Sequence, residues 1–79
     1  MSSLHELERD VHQFLVNLAH VTKVEVEASV TSRGRKKCDV RTFLDSDSKE
    51  NRFRVYSTEQ HLIERHSSVM FEFQSMLQK

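Results

Sequence analysis

Apolar residues recur at three- and four-residue steps over the first twenty positions, and then at every second position. Within residues 3–20 the apolar residues that share one helical face are Leu4, Leu7, Val11, Phe14, Leu15 and Leu18. This spacing predicts an amphipathic helix, with Ser2 or Ser3 as its N-terminal cap. From residue 23 onward, Val24, Val26, Ala28 and Val30 alternate with polar residues. A half-buried strand is therefore predicted after the helix.

A second alternating run, residues 37–44, predicts the partner of this strand. Its inward positions are Cys38 and Val40, and its outward positions are Asp39, Arg41 and Phe43. The segment between the strands contains Gly34, the only glycine of the chain, which favours a hairpin turn. A three-residue loop over 33–35 pairs Val30 with Cys38 and keeps the inner face apolar. We expect this register.

The second half of the chain predicts one more strand and one more helix. Phe53 and Val55 alternate with polar residues over 52–56, after a polar, turn-rich segment at 45–51. A capping box, Ser57 to Gln60, then opens a helix that is predicted to run to residue 77. The expected fold is α+β, a two-layer sandwich in the order helix, three-stranded antiparallel meander, helix (αβββα). Its 79 residues are expected to form a single domain, 1–79.

Composition narrows the classes of function. Twelve Lys and Arg residues balance twelve Asp and Glu residues, so no strong overall field attracts nucleic acid or anionic lipid. The single cysteine, Cys38, cannot form an internal disulfide, which fits a reducing compartment, and we expect a cytoplasmic protein. The sequence contains no export signal and no apolar run of membrane-spanning length. We expect no membrane partner.

The residue types that carry catalysis do not assemble in this sequence. His5, Glu8 and His12 can share one side of the first helix, but no cysteine pair completes a zinc shell. Cys38 faces the predicted core, as a small buried hydrophobe does, and one glycine cannot build a phosphate-binding loop. We expect no catalytic residue, metal, cofactor or small-molecule substrate, and no enzymatic activity.

Exposed aromatic residues point instead to a protein partner. In the predicted last helix Phe71 projects away from the apolar stripe, on the same side as Glu64 and Ser67. Phe43 and Tyr56 face outward on the predicted sheet and are typical interface anchors. The favoured hypothesis is a non-catalytic protein–protein interaction domain: a homodimer or heterodimer, an adaptor, or a small inhibitor of a larger complex. The same topology occurs in compact inhibitors encoded by phages and mobile elements.

A basic hairpin tip supports an alternative function. Arg33, Arg35, Lys36 and Lys37 lie within five residues, and exposed cations on a projecting loop can contact phosphates. Arg41 and Arg54 extend this candidate surface across the predicted outer face of the sheet. That face also carries three acidic residues, so its charge is nearly balanced. The alternative is a domain that contacts RNA or DNA.

Two short stretches resemble a known RNA-binding family. Lys37-Cys38-x-x-Arg41 and Val55-Tyr56-x-Thr58-x-Gln60 are similar to segments of the Alu-domain proteins of the signal recognition particle. The resemblance covers residues 35–77. It implies an αβββα domain that pairs with a second protein and binds RNA on its sheet.

Overall fold

A computed structural model describes residues 4–78 of the chain. They form two helices and three strands. The elements are α1 (Leu4–Val16), β1 (Val21–Val30), β2 (Lys36–Leu44), α2 (Lys49–Arg65) and β3 (Met70–Leu77). The predicted capping residues Ser2 and Ser3 lie outside the described residues.

The three strands form one mixed sheet in the order β1-β2-β3. β1 pairs with β2 in the antiparallel direction, and β3 lies parallel to β2 on its other side. Parallel neighbours need a crossover connection, and α2 supplies it here. β2 is therefore the central strand, while β1 and β3 are the two edges.

Both helices cover the same face of the sheet. The buried residues that form this core come from α1, β1, β2, α2 and the turn before β3: Leu7, Val11, Leu15, Val24, Cys38, Val40, Leu62 and Val69. The predicted α+β class, with two helices and a three-stranded sheet in two layers, is confirmed. The inward positions of Cys38 and Val40 are confirmed as well.

The predicted element order and the all-antiparallel meander are wrong, because the third strand was placed too early. Residues 52–56 belong to α2, and the second half of the predicted last helix is β3. Phe53 and Val55 alternate over only one period, and a helix also accommodates this pair, with Val55 buried and Phe53 exposed. Ser48 caps this helix, since its hydroxyl accepts a hydrogen bond from the backbone N–H of Asn51 at 3.1 Å.

The hairpin register differs from the predicted one by two residues. Ala28 pairs with Cys38, and Thr31 closes the turn through a hydrogen bond from its N–H to the carbonyl of Arg35 at 2.8 Å. A shift of two residues preserves which side chains face inward, so the apolar pattern does not distinguish the two registers. The observed register is set by the turn that Thr31 and Arg35 close. Gly34 lies within this turn at a φ of +79°, which glycine adopts without strain.

An ionic cluster joins the end of α2 to α1. Asp10 accepts a hydrogen bond from Nε of Arg65 at 2.8 Å, and Nε2 of His66 lies 2.7 Å from the same carboxylate oxygen. Burial alone would raise the pKa of Asp10, but the hydrogen bonds and charges of Arg65 and His66 outweigh it and lower that pKa. These contacts hold the C-terminal end of α2 against α1.

Candidate functional site

The structure places Phe71 differently from the sequence prediction. Phe71 lies in β3, on the inner face of the sheet, where it is half-buried against the core. Its ring stacks on Phe73 with centroids 5.1 Å apart and planes 6° apart, and lies 6.2 Å from the His66 ring. The prediction of Phe71 as an outward anchor on a helix is therefore wrong.

The other four predicted protein-binding residues do not form one surface. Phe43 lies on the outer face of the sheet, with the Lys23 ammonium 5.5 Å from its ring centroid. Tyr56 lies in α2, on the opposite layer, with 56% of its surface exposed. Glu64 is exposed on α2, and Ser67 is exposed in the turn that follows. Among these four residues, Tyr56 alone combines an aromatic ring with wide exposure.

The predicted basic surface is divided among separate elements. Lys37 lies 3.9 Å from Asp39 and 3.7 Å from Glu72, and Arg41 binds Glu25 at 3.0 Å. Hydrogen bonds and charges from Lys23 and Arg41 lower the pKa of Glu25. The acidic partners therefore compensate these cations on the outer sheet face.

Arg54 does not lie on the sheet at all. It belongs to α2, where it donates to Oδ1 of Asn51 at 3.2 Å and lies 3.9 Å from Glu50. Arg33 and Arg35 are exposed at the hairpin tip, and Lys36 is half-buried where β2 begins. The six predicted cations consequently do not make one phosphate-binding surface.

Ligands for a metal ion are not grouped in residues 4–78. Among them no three His, Cys, Asp or Glu side chains converge closely enough to hold a cation. Cys38 is fully buried, and this burial raises the pKa of its thiol to about 11, so the thiol is neutral at pH 7. No helix in this part of the chain combines the length and apolarity needed to cross a bilayer.

Exposed apolar side chains concentrate on α2 and β3. Seven large apolar residues are exposed in the described part of the chain, and five of them belong to these two elements: Phe53 (69%), Tyr56 (56%), Leu77 (46%), Met70 (42%) and Ile63 (39%). On α2 the three residues share one face, opposite the buried Val55 and Leu62. Leu77 lies on the inner face of the sheet, which the helices cover, whereas Met70 pairs with Lys37 and lies on the outer face. We call Phe53, Tyr56, Ile63 and Leu77 the α2/β3 surface.

A groove of about 400 Å³ lies between α2 and the C-terminal half of β3. Leu44, Val55 and Leu77 give it apolar walls, and Tyr56 stands at its side. Glu59 also lines it, and burial raises the pKa of this carboxyl to about 7. The groove thus joins the exposed face of α2 to the edge of the sheet.

Sequence reasoning missed Phe53, Ile63 and Glu59 as surface and groove residues. Phe53 belongs to the strand predicted over 52–56, and Ile63 lies within the predicted last helix, so neither was identified as a surface residue. Starting the helix at Ser48 places Phe53 and Tyr56 together on one face, and Val55 on the other. The signal in the sequence that could have indicated this helix is Ser48, a typical N-cap residue.

No family model matches the sequence, and no curated protein matches it. Among solved structures, the metal-bound C-terminal domain of the CzcD transporter from Cuprividus metallidurans is similar, with a TM-score of 0.54 and 14% sequence identity. The similarity covers 92% of this chain and 99% of that one. It establishes a shared fold.

Proposed function

We propose that this chain is a non-catalytic protein-binding domain whose partner is a second copy of itself. The observation that carries the proposal is the α2/β3 surface, which gathers four of the seven large exposed apolar side chains of residues 4–78. Apolar groups that cluster on one side of a small domain commonly mark an interface. Phe53 is the most exposed of these residues and is the natural anchor.

The size of the domain supports self-association. A chain of 79 residues has a small core, and domains of this size often gain stability by forming oligomers. A symmetric dimer would cover the α2/β3 surface of both copies at once, because the same patch serves on each side of a two-fold axis.

The similar solved structure is a transporter domain that is described as metal-bound. The described residues of this chain bring no three metal ligands together, so the proposal for this protein does not include a metal.

The proposal is tested by measuring molar mass in solution by sedimentation, from low micromolar to millimolar protein concentration. We expect the apparent mass to rise from monomer to dimer, and Phe53→Ser to shift this rise to higher concentration. The matched control is Val30→Ser, which removes another exposed apolar residue, 54% accessible, from the far end of β1. A native protein that stays monomeric throughout would contradict the proposal.

A second candidate function is contact with nucleic-acid phosphates through Arg33 and Arg35, which are exposed at the hairpin tip. Binding of this kind weakens steeply with salt. A titration of single-stranded RNA at low ionic strength should then show binding that Arg33→Ser with Arg35→Ser abolishes. The absence of salt-sensitive binding would exclude this function.

A further inference from the structure

The two edges of the sheet differ in how they are protected. The outer edge of β1 is capped by α1, because Glu8 accepts a hydrogen bond from the Ala28 N–H at 2.8 Å. β1 also carries the charged side chains Lys23, Glu25 and Glu27. Charges and capping contacts of this kind keep an edge strand from pairing with another chain.

β3 has no comparable protection. It is eight residues long, it contains no proline, and its one charged residue is Glu72. Within residues 4–78 no strand pairs with its outer edge. A long apolar edge strand with unpaired backbone groups is a template for adding another strand.

The backbone groups that point outward from β3 can be identified. The N–H of Gln78 donates to the carbonyl of Leu44 in β2 at 2.7 Å. Successive residues of a strand direct their N–H and C=O groups to opposite sides, so even-numbered residues of β3 bond to β2. Phe71, Phe73, Ser75 and Leu77 therefore direct their N–H and C=O groups to the free edge.

We propose that β3 pairs with β3 of a second copy in the antiparallel direction, with Gln74 opposite the partner's Gln74, so that the two sheets join into one of six strands. This inference rests on the proposed function and specifies its interface. A two-fold axis perpendicular to the sheet keeps the helix-covered faces of both copies on the same side. For the helices of both copies to lie on one side of the joined sheet, each inner-face residue of β3 must lie opposite an inner-face residue of the second copy.

Backbone pairing selects the register. With Gln74 on the axis, Phe71 faces Leu77 of the second copy and Phe73 faces its Ser75. All four residues with outward backbone groups are then matched, which gives eight interchain hydrogen bonds. A register centred on Phe73 matches only three of them, and one centred on Glu72 brings two carboxylates together.

The groove beside β3 fits the side chains that this register brings to it. Ser75 and Leu77 form the β3 wall of the groove, and they lie opposite Phe73 and Phe71 of the second copy. Two aromatic rings thus approach a groove of about 400 Å³ that has Leu44, Val55 and Tyr56 on its walls. The small Ser75 leaves room for the large ring that faces it.

The first test removes one outward N–H group without touching the pairing of β3 with β2. Ser75→Pro deletes this donor, and proline is tolerated at a strand edge whose N–H is unused. Two interchain hydrogen bonds disappear from each dimer, so the dissociation constant should rise about thirtyfold or more. Ser75→Ala keeps the N–H and is the matched control, for which we expect a nearly native dissociation constant.

The second test reads the register and does not depend on how the proline variant folds. In Gln74→Cys two thiols meet on the axis at a non-hydrogen-bonded pair, where Cα atoms are about 4.5 Å apart, within the range for a disulfide. Oxidised glutathione should therefore convert this variant to a covalent dimer. Glu72→Cys, also exposed on the outer face, lies opposite Met76 of the second copy and should form no covalent dimer under the same conditions.

The possible results separate the inference from the function on which it rests. If the native protein dimerises but Ser75→Pro does so equally well, or if Glu72→Cys cross-links as fast as Gln74→Cys, the β3 pairing is wrong and the proposed function stands. If the native protein is monomeric at every concentration, both the β3 pairing and the proposed self-association are wrong. A weakened Ser75→Pro dimer together with selective cross-linking of Gln74→Cys supports both.

Discussion

Replacement of Glu59 by glutamine should stabilise the protein, and increasingly so as the pH rises. Burial in the groove raises the pKa of this carboxyl from its ordinary value of 4.5 to about 7. The folded state therefore holds a proton that the unfolded chain has already released between these two pH values. The stability that protonated Glu59 contributes is fully present below pH 4.5 and is lost as the pH rises to about 7. The free energy of unfolding therefore falls with rising pH over this range.

The magnitude follows from the same two values. A difference of about 2.5 pH units corresponds to at most about 3.4 kcal/mol, at about 1.36 kcal/mol for each pKa unit. The groove is open to water and is also lined by Asp47 and Arg52, so solvent screening reduces this figure. We expect Glu59→Gln to be more stable than the native protein by about 1 to 2 kcal/mol at pH 8, and about equally stable near pH 4.5.

Urea unfolding followed by circular dichroism measures this difference at each pH. Subtracting the native curve from the variant curve cancels the groups that the two proteins share. Glu64→Gln is the matched control, because Glu64 is exposed on the same helix. A difference between Glu59→Gln and the native protein that is independent of pH, or that shrinks toward pH 8, would refute the reasoning.

Three further substitutions test the fold. Ser48→Ala should lower the free energy of unfolding in urea by about 1 kcal/mol, because it removes the helix cap. Its control is Ser57→Ala, in the middle of α2, which should lower that free energy by only a few tenths of a kcal/mol. Leu62→Ala should cost about 2 to 5 kcal/mol in the same assay, because this fully buried side chain leaves a cavity. Asp10→Asn should cost about 1 to 2 kcal/mol at pH 7 and less at acid pH, where the native carboxylate is also protonated. If the urea midpoint of any of these three variants equals that of the native protein, the contact assigned to the replaced side chain is wrong.

The first half of the fold could be predicted because its periodicity changes sharply. The helical spacing from Leu4 onward gives way to strict alternation in β1 and β2, and the only glycine marks the turn. The last turn of the predicted first helix is an exception. The helix ends at Val16, and His20 adopts a φ of +67° before β1 begins.

The second half could not be predicted from spacing alone because it lacks such markers. Neither glycine nor proline separates α2 from β3, and only Ser67 and Ser68 interrupt the apolar pattern. Phe73 and Met76 fit a helical stripe as well as a strand, since three-residue and two-residue periods overlap in so short a run. Parallel pairing with β2 decides in favour of a strand, and this is a tertiary contact.

The candidate site could be predicted only where exposure does not depend on the element type. Tyr56 is exposed both as the predicted strand residue and as the observed helix residue. Phe71 changes from exposed to half-buried once its segment becomes a strand. The unprotected edge of β3 emerges only after the strand order is known, because the sequence does not show which two strands lie at the edges of the sheet.

Amide hydrogen exchange along β3, measured residue by residue at low and high protein concentration, tests the central claim most directly. At low concentration we expect slow exchange for Glu72, Gln74 and Met76, which bond to β2, and fast exchange for Phe73 and Ser75. At high concentration Phe73 and Ser75 should become protected as well, which removes the alternation. Persistent fast exchange at Phe73 and Ser75 in a protein that is dimeric by mass would contradict the account.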